Sequence, residues 1–247
     1  MSFNNSQSFD QNFSAPTDLF VAAAAADARA GFIIKTYLYL LGAIAALIAI
    51  ETFFFTVLGM ENMIKVTATM LGGQFSWLIV FGAFMLVSWV AHSWAQSAVS
   101  SAVQHAGLAL YVVAMAIILI PLLCLAQLKT GDTRLIVSAG TATAGLFAML
   151  TLAVFITRKD FSFLRSILMF GGLAAMGLIA TALIFQFSLG PIFMYAMIAF
   201  FCAYILYDTS NVLHHYRIGQ HVAAALALFA SVVMLFWYIL QLFLSRE

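Results

Sequence analysis

Charge is scarce in this sequence: only 8% of its 247 residues are Asp, Glu, Lys or Arg. A soluble domain carries about 25% charged residues, so a soluble globular fold is excluded. The net charge of +1 is spread along the chain without a basic run. The chain therefore has no cluster of basic residues that could neutralise the phosphates of a nucleic-acid partner.

Cysteine is rare, and no secretory signal opens the chain. Cys124 and Cys202 lie inside apolar stretches, so we interpret them as small buried hydrophobic residues rather than as a disulfide or a metal site. The first residues lack the basic start and apolar core of a signal peptide. We predict two regions: residues 1–31, a polar cytosolic tail with an interfacial lead-in, and residues 32–247, a transmembrane domain.

Long apolar runs dominate what is present. Hydrophobic residues make up 65% of the chain, and its mean hydropathy is +1.08. A bilayer span needs about 20 apolar residues, and seven segments are long enough. They lie at 32–58, 75–96, 106–127, 135–157, 163–186, 190–210 and 221–244. The sequence therefore predicts an all-α polytopic membrane protein, a bundle of seven transmembrane helices in a lipid bilayer.

The distribution of small and basic residues predicts the packing and orientation of this bundle. Small residues mark close contacts between helices in lipid, and the run from Ala139 to Gly145 places the fourth segment at the centre. Basic residues concentrate on the cytosolic side of a membrane, and a cytosolic N-terminus puts the larger set there. The inner set is Arg29, Lys35, Arg158, Lys159, Arg165 and Arg217, and the outer set is Lys65, Lys129, Arg134 and Arg246.

Three ionisable side chains remain inside the predicted spans: Asp208, Glu51 and His92. Asp208 follows the uninterrupted apolar run from Phe193 to Tyr207, and a charge at the bilayer centre costs about 2.5 to 17 kcal/mol depending on the method. Function is therefore expected at Asp208. At a rise of about 1.5 Å per residue, His92 lies at a comparable depth. The two form a pair responsive near neutral pH, unless His92 only reaches the headgroups beside Trp94.

Glu51 lies late in the first span, which places it near the outer leaflet. One interpretation is an interfacial salt bridge to one of three nearby cations, Lys65, Lys129 or Arg134. The other is a cation-binding group on the outer side. The structural interpretation is slightly favoured, because charges near the ends of a span cost less than central ones.

The remaining polar residues form no recognisable catalytic or metal site. His214 and His215 are interpreted as solvated loop residues, since adjacent histidines cannot face one another on a helix and no further ligand completes a metal shell. The sequence has no Gly-rich phosphate loop, no HExxH and no GxSxG elbow. An intramembrane aspartyl protease needs a second membrane aspartate. We predict no enzymatic activity and no cofactor.

Three motifs give the chain its resemblance to a known family. They are Phe32 to Tyr37 (FIIKTY), Thr157 to Leu164 (TRKDFSFL) and Tyr204 to Ser210 (YILYDTS). With these motifs, the chain resembles the bacterial branch of the Bax inhibitor-1 family of seven-span membrane proteins, from about Arg29 to the C-terminus. The resemblance implies one central helix surrounded by six, a carboxylate pair at the cytosolic mouth, and a pH-dependent calcium leak. Asp208 matches the first carboxylate of that pair.

The second carboxylate is missing. The family typically has Leu-Tyr-x-Asp-Ile-x-Asn-Leu-Phe in the last span, whereas this chain has Leu228 to Phe236 (LFASVVMLF). Ser231 replaces the aspartate and Met234 replaces the asparagine. A hydroxyl donates a hydrogen bond to Asp208 but does not share its charge. The pair of carboxylates that the resemblance implies as a pH-dependent gate therefore cannot form. We expect calcium to bind more weakly here than in relatives with two carboxylates, because Ca²⁺ prefers several oxygen ligands and more than one anionic ligand.

Three functions remain open at this point, one of which is a structural membrane protein without transport activity. The first is a cation leak pathway in the bacterial inner membrane, passing Ca²⁺ or protons and gated near Asp208, with Ser231, His92 and Glu51 as further candidate ion-binding or gating residues. The second is a regulatory protein that binds another membrane protein, such as a membrane-bound protease. The polar tail from Met1 to Leu19 and the lost carboxylate motivate the second function.

Overall fold

The computed structural model describes residues 20–73, 76–97 and 100–246, so the predicted tail from Met1 to Leu19 lies outside the described residues. The helices in this part of the chain are α1 (Ala26–Phe53), α2 (Met60–Leu71), α3 (Ser76–Ala95), α4 (Ser101–Thr130), α5 (Arg134–Thr157), α6 (Leu164–Phe185), α7 (Gly190–His214) and α8 (His221–Leu244). Seven of these are long and apolar enough to cross a membrane, the first with the π-helical turn Phe54–Leu58 that follows it. The predicted seven-span, all-α fold is confirmed.

The short helix α2 was not predicted. Gly59 and Gly72 bound it, and these glycines suggested a plain loop. Its exposed side carries an ion pair of 2.8 Å between Lys65 and Glu61, while Met63 and Met70 are buried. The 12 residues of α2 therefore have one polar and one apolar face. Such an amphipathic pattern stabilises a surface helix, and α2 packs on α3 and α4.

The central helix of the bundle is α8, which packs against α1, α3, α4, α5 and α7. In its apolar stretch 67% of the residues are buried, against 17% in α5. The prediction that the fourth span, α5, is central is therefore wrong. The glycines in the small-residue run of α5 do not serve close packing, because a Cβ added at Gly140 or Gly145 would meet nothing within 4 Å, although Ala139 in the same run is fully buried.

Gly107 on α4 makes a close backbone approach to α3. A Cβ at this position would lie 2.6 Å from the carbonyl oxygen of Ala91 and 2.8 Å from the backbone nitrogen of Ala95, both on α3. Glycine is required here because only a hydrogen fits between the two backbones. This contact fixes α3, and with it His92, against the core.

The bundle has two ends, which we name after the buried acids nearest to them. The Asp208 end holds the start of α1 and the connections from α3 to α4, α5 to α6 and α7 to α8. The Glu51 end holds α2 and the connections from α4 to α5 and α6 to α7.

Candidate ion-binding site at the Asp208 end

The centre of the site is a hydrogen bond between the last two helices. The Ser231 hydroxyl on α8 donates to the Asp208 carboxylate on α7 over 2.5 Å. Asp208 is 7% exposed and Ser231 is 4% exposed, so neither bulk water nor lipid reaches the pair freely. The carboxylate therefore points into the protein, towards the central helix.

A cavity of about 260 Å³ opens beside this pair. Its lining residues are His92, Tyr111, Phe201, Tyr204, Asp208, Ala227, Ala230, Ser231 and Met234. At about 30 Å³ per water molecule, the cavity has room for several waters or for a partly hydrated ion. Asp208 supplies its negative charge, and hydroxyl and imidazole groups supply the rest of its polarity.

His92 lines the same cavity but does not form an ion pair with Asp208. Its Nδ1 donates to the carbonyl oxygen of Ser88 over 2.9 Å, and among the described residues Nε2 has no backbone partner. The ring packs edge-on against Tyr111 with 5.2 Å between centroids. The ion pairs found in the described part of the chain do not include the His92–Asp208 pair, so any coupling acts across the cavity.

Glu51 lies at the opposite end of the bundle. It is 9% exposed, and neither carboxylate oxygen has a hydrogen-bond partner among the described residues. The predicted salt bridge is not formed. Each of the three candidate cations has another partner: Lys65 pairs with Glu61, Lys129 donates to the carbonyl oxygen of Leu244, and Arg134 pairs with Asp132.

At the Asp208 end, the connection from α5 to α6 (residues 158–163) is hydrogen-bonded to α7. We call this contact the clip, and it joins two of the three family-like motifs. The backbone N–H of Phe161 donates to Ser210 Oγ over 2.9 Å, and His215 Nε2 lies 3.5 Å from the carboxylate of Asp160. Ser210 comes two residues after Asp208, so the clip fixes the helical turn that carries the acid. His215 pairs with Asp160 and not with Asp208.

Electrostatics favour the charged form of Asp160 in this clip. Slight burial acts to raise its pKa, but the hydrogen bond from the backbone N–H of Ser162 and the nearby His215 together lower the pKa below its usual value. Tyr216, in the next connection, behaves in the opposite way. Burial, and then the charge of Asp208, raise the pKa of Tyr216, so its hydroxyl stays protonated at neutral pH.

The residues just before α1 cover the connection from α7 to α8. Val21 donates its backbone N–H to the carbonyl oxygen of Tyr216 over 2.9 Å, and its side chain is fully buried. Arg29 holds this segment through the carbonyl oxygens of Val21 and Ala22, at 3.1 and 2.7 Å. Arg217 lies over the ring of Phe20 with 5.6 Å to the centroid.

Sequence reasoning brought together only part of this site. It placed Asp208, Ser231 and His92 in one region, and all three line the cavity. It missed Tyr111 and Tyr204. Tyr204 stands one helical turn before Asp208, so the spacing could have revealed it. Nothing in the sequence around Tyr111 points to the cavity, because its position depends on the close contact between α3 and α4.

Together, the fold and the cavity define the chain as a seven-span helical membrane protein with a buried acid beside its central helix. Residues 29–247 match the family model described as "Inhibitor of apoptosis-promoting Bax1". The chain belongs to this Bax inhibitor-1 family.

Three curated proteins are similar to this chain, and one of them is named Bax inhibitor 1. Protein LIFEGUARD 4 of Arabidopsis thaliana is 29% identical over 226 residues, which cover 89% of this chain and 86% of that protein. Bax inhibitor 1 of Schizosaccharomyces pombe is 37% identical, over 45% of this chain and 42% of its own length. An uncharacterized protein of Pseudomonas aeruginosa is 35% identical, over 44% of this chain and 49% of its own length. No solved structure matches the chain.

Proposed function

We propose that this protein is a cation leak pathway that passes Ca²⁺ or protons, with Asp208 as its ion-binding and gating group. One observation carries the proposal: a carboxylate that is 7% exposed lines a partly open cavity of about 260 Å³ beside the central helix. A buried charge in a membrane protein is costly and in general marks an ion or proton pathway.

The neighbours of Asp208 have distinct roles in this proposal. Ser231 donates to the carboxylate and holds it in one orientation while the cavity is closed. An arriving cation competes with this hydrogen bond, because it binds the same oxygen. His92, which lines the same cavity from α3, changes the charge of the cavity when it gains a proton. Glu51 is the candidate acid for the other end of the pathway, since its oxygens have no partner in the described part of the chain.

The test is calcium flux into vesicles that contain the purified protein. We expect Asp208→Asn to lower the flux about tenfold or more, since interactions with a charged group are worth about 1.5–3 kcal/mol and each 1.4 kcal/mol is a factor of ten. Asp132→Asn is the matched control, because Asp132 is an exposed acid at the Glu51 end. Ser231→Asp restores a second carboxylate and is expected to increase the flux and its pH dependence.

Two results would contradict the proposal. One is equal flux through the wild type and Asp208→Asn with the fold intact. The other is a Ser231→Asp variant whose flux and pH profile match those of the wild type. A parallel measurement with a pH-sensitive dye inside the vesicles separates proton movement from calcium movement.

A regulatory role without transport is the second candidate. It is favoured by the replacement of the family aspartate by Ser231, which leaves one acid at the mouth. Under this alternative the wild type carries no flux, and a membrane partner such as a protease is captured only while residues 1–19 are present. Deleting these residues while measuring both flux and capture distinguishes the two candidates.

We also propose that the protein resides in the inner membrane of a bacterium with its N-terminus in the cytosol. Arg29, Lys35, Arg158, Lys159, Arg165 and Arg217 all belong to the Asp208 end. Basic residues accumulate on the cytosolic side, which supports this orientation. A cysteine-labelling experiment on intact cells, with single cysteines at Lys159 and Asp132, tests it: only the second is expected to react with a membrane-impermeant reagent.

A further inference from the structure

A second cavity, larger than the first, lies on the outer surface of the bundle and shares no residue with the Asp208 cavity. It is a groove of about 750 Å³ between α1, α4 and the first residue of α8. On α1 it runs from Lys35 to Ile50, and on α4 from His105 to Val113. Because α1 and α4 are membrane spans, most of this groove faces the lipid.

Small residues create the groove. Gly42, Ala43 and Ala46 line it on α1, and Ala109 lines it on α4. A Cβ added at Gly42 would meet nothing within 4 Å, so this glycine does not serve helix packing. The segment from Lys35 to Ile50 has 15 helical steps and spans about 22 Å at about 1.5 Å per step. One leaflet of the hydrocarbon core is about 15 Å deep, so the groove can accept an acyl chain along its length.

Basic side chains gather at one end of the groove, which belongs to the Asp208 end of the bundle. Lys35, His105 and His221 all line it there, together with Tyr39. Tyr39 hydroxyl lies 2.6 Å from His105 Nε2, and its ring is 5.2 Å from that of His221. The ion pairs found within residues 20–73, 76–97 and 100–246 include none of these three basic residues. The positive charge of Lys35 is therefore not compensated by an acid of the described chain.

We propose that this groove binds one phospholipid with an anionic headgroup. The acyl chain lies against Gly42, Ala43 and Ala46, and the headgroup phosphate contacts Lys35. His105 does not serve as a donor to the phosphate, because its Nδ1 donates to the carbonyl oxygen of Ser101 and its Nε2 accepts from the Tyr39 hydroxyl. Charge complementarity selects this occupant: the Lys35 ammonium stands at one end of an apolar channel, in the order in which a phospholipid presents its phosphate and its tail. The proposal is independent of ion transport, because neither Asp208 nor its cavity takes part.

The test measures the lipids retained by the purified full-length protein. The protein is reconstituted in equal amounts of phosphatidylglycerol and phosphatidylcholine and extracted in mild detergent, and the lipids on each chain are counted by mass spectrometry of the intact complex. We expect the wild type to retain phosphatidylglycerol in preference to phosphatidylcholine. Lys35→Gln is expected to lower this preference about fivefold, and Gly42→Phe to remove both lipids by filling the groove.

Two matched variants serve as controls. Lys65→Gln removes a cation at the Glu51 end, and Gly145→Phe adds a ring at another glycine whose Cβ would meet nothing within 4 Å. Both are expected to behave as the wild type. Equal lipid retention by Gly42→Phe and Gly145→Phe would overturn the proposal, and so would an unchanged preference in Lys35→Gln.

Other occupants of the groove give distinct results, and each also overturns the proposal. Displacement of the lipid by glycerol phosphate, which has the headgroup phosphate without the tail, indicates a site for a free anion. A second protein chain bound in place of the lipid, and lost in Gly42→Phe, indicates that the groove receives a transmembrane helix.

Discussion

Replacing Ser231 with alanine tests the hydrogen bond at the centre of the candidate site. A hydrogen bond to a charged group is worth about 1.5–3 kcal/mol. Both partners are buried, so the free carboxylate cannot turn to bulk water. The cavity beside it has a volume of about 260 Å³, and a water there can replace part of the lost interaction. We therefore expect the free energy of unfolding to fall by about 1–2 kcal/mol.

The measurement is a double-mutant cycle in a reversible detergent-unfolding assay, with Ser231→Ala, Asp208→Asn and both together. We expect a coupling energy of about 1 kcal/mol, because the two side chains share one hydrogen bond. Ser138→Ala, at an exposed position on α5, is the control and should change the stability by less than about 0.5 kcal/mol. The reasoning fails if the two substitutions add to within about 0.3 kcal/mol.

Two further predictions concern the framework around the site. Gly107→Val places a side chain against the backbone of Ala91 and should lower the free energy of unfolding by about 1–3 kcal/mol. The control is Gly82→Val, which should have no such effect because the space around Gly82 is open. Equal melting temperatures of the two variants would refute the close contact. The lowered pKa of Asp160 means that its stabilising effect is complete above the pKa of an unfolded aspartate, about 3.9, and disappears as the pH falls through the lower folded value. Asp160→Asn should therefore reduce the melting temperature slightly at about pH 6 and by less at about pH 3. The same difference at both pH values would exclude an effect of the Asp160 charge.

The number of spans, their order and the key acid could be predicted because they depend on local properties. An apolar run of sufficient length must form a helix in lipid, and a carboxylate after such a run must face the protein interior. The same reasoning correctly brought Ser231 to Asp208, since the motif comparison aligned it with a residue expected to contact that acid.

Helix packing could not be predicted because small residues have several uses. Gly107 permits the close contact with α3, Gly42 opens a groove to lipid, and Gly140 has neither role. In the sequence these glycines look alike, and the densest small-residue run belongs to α5 and not to the central helix. The central position of α8 depends on how the side chains of five neighbouring helices pack against it. This packing is a property of the whole bundle and cannot be derived from the sequence of α8 alone.

Under the proposed function, the presence of Ser231 at the position of the family aspartate changes what the site would bind. Ca²⁺ takes six to eight oxygen ligands, and the side chains that line the cavity offer oxygens from Asp208, Ser231, Tyr111 and Tyr204. Only Asp208 is anionic among them, so water must complete any calcium shell, and the cavity has room for it. A cation is then held by one charge and several neutral ligands, which is weaker than binding by a carboxylate pair. Conduction requires an ion to leave as readily as it enters, so weak binding favours conduction. A site with one carboxylate is therefore compatible with a leak pathway and incompatible with tight calcium storage.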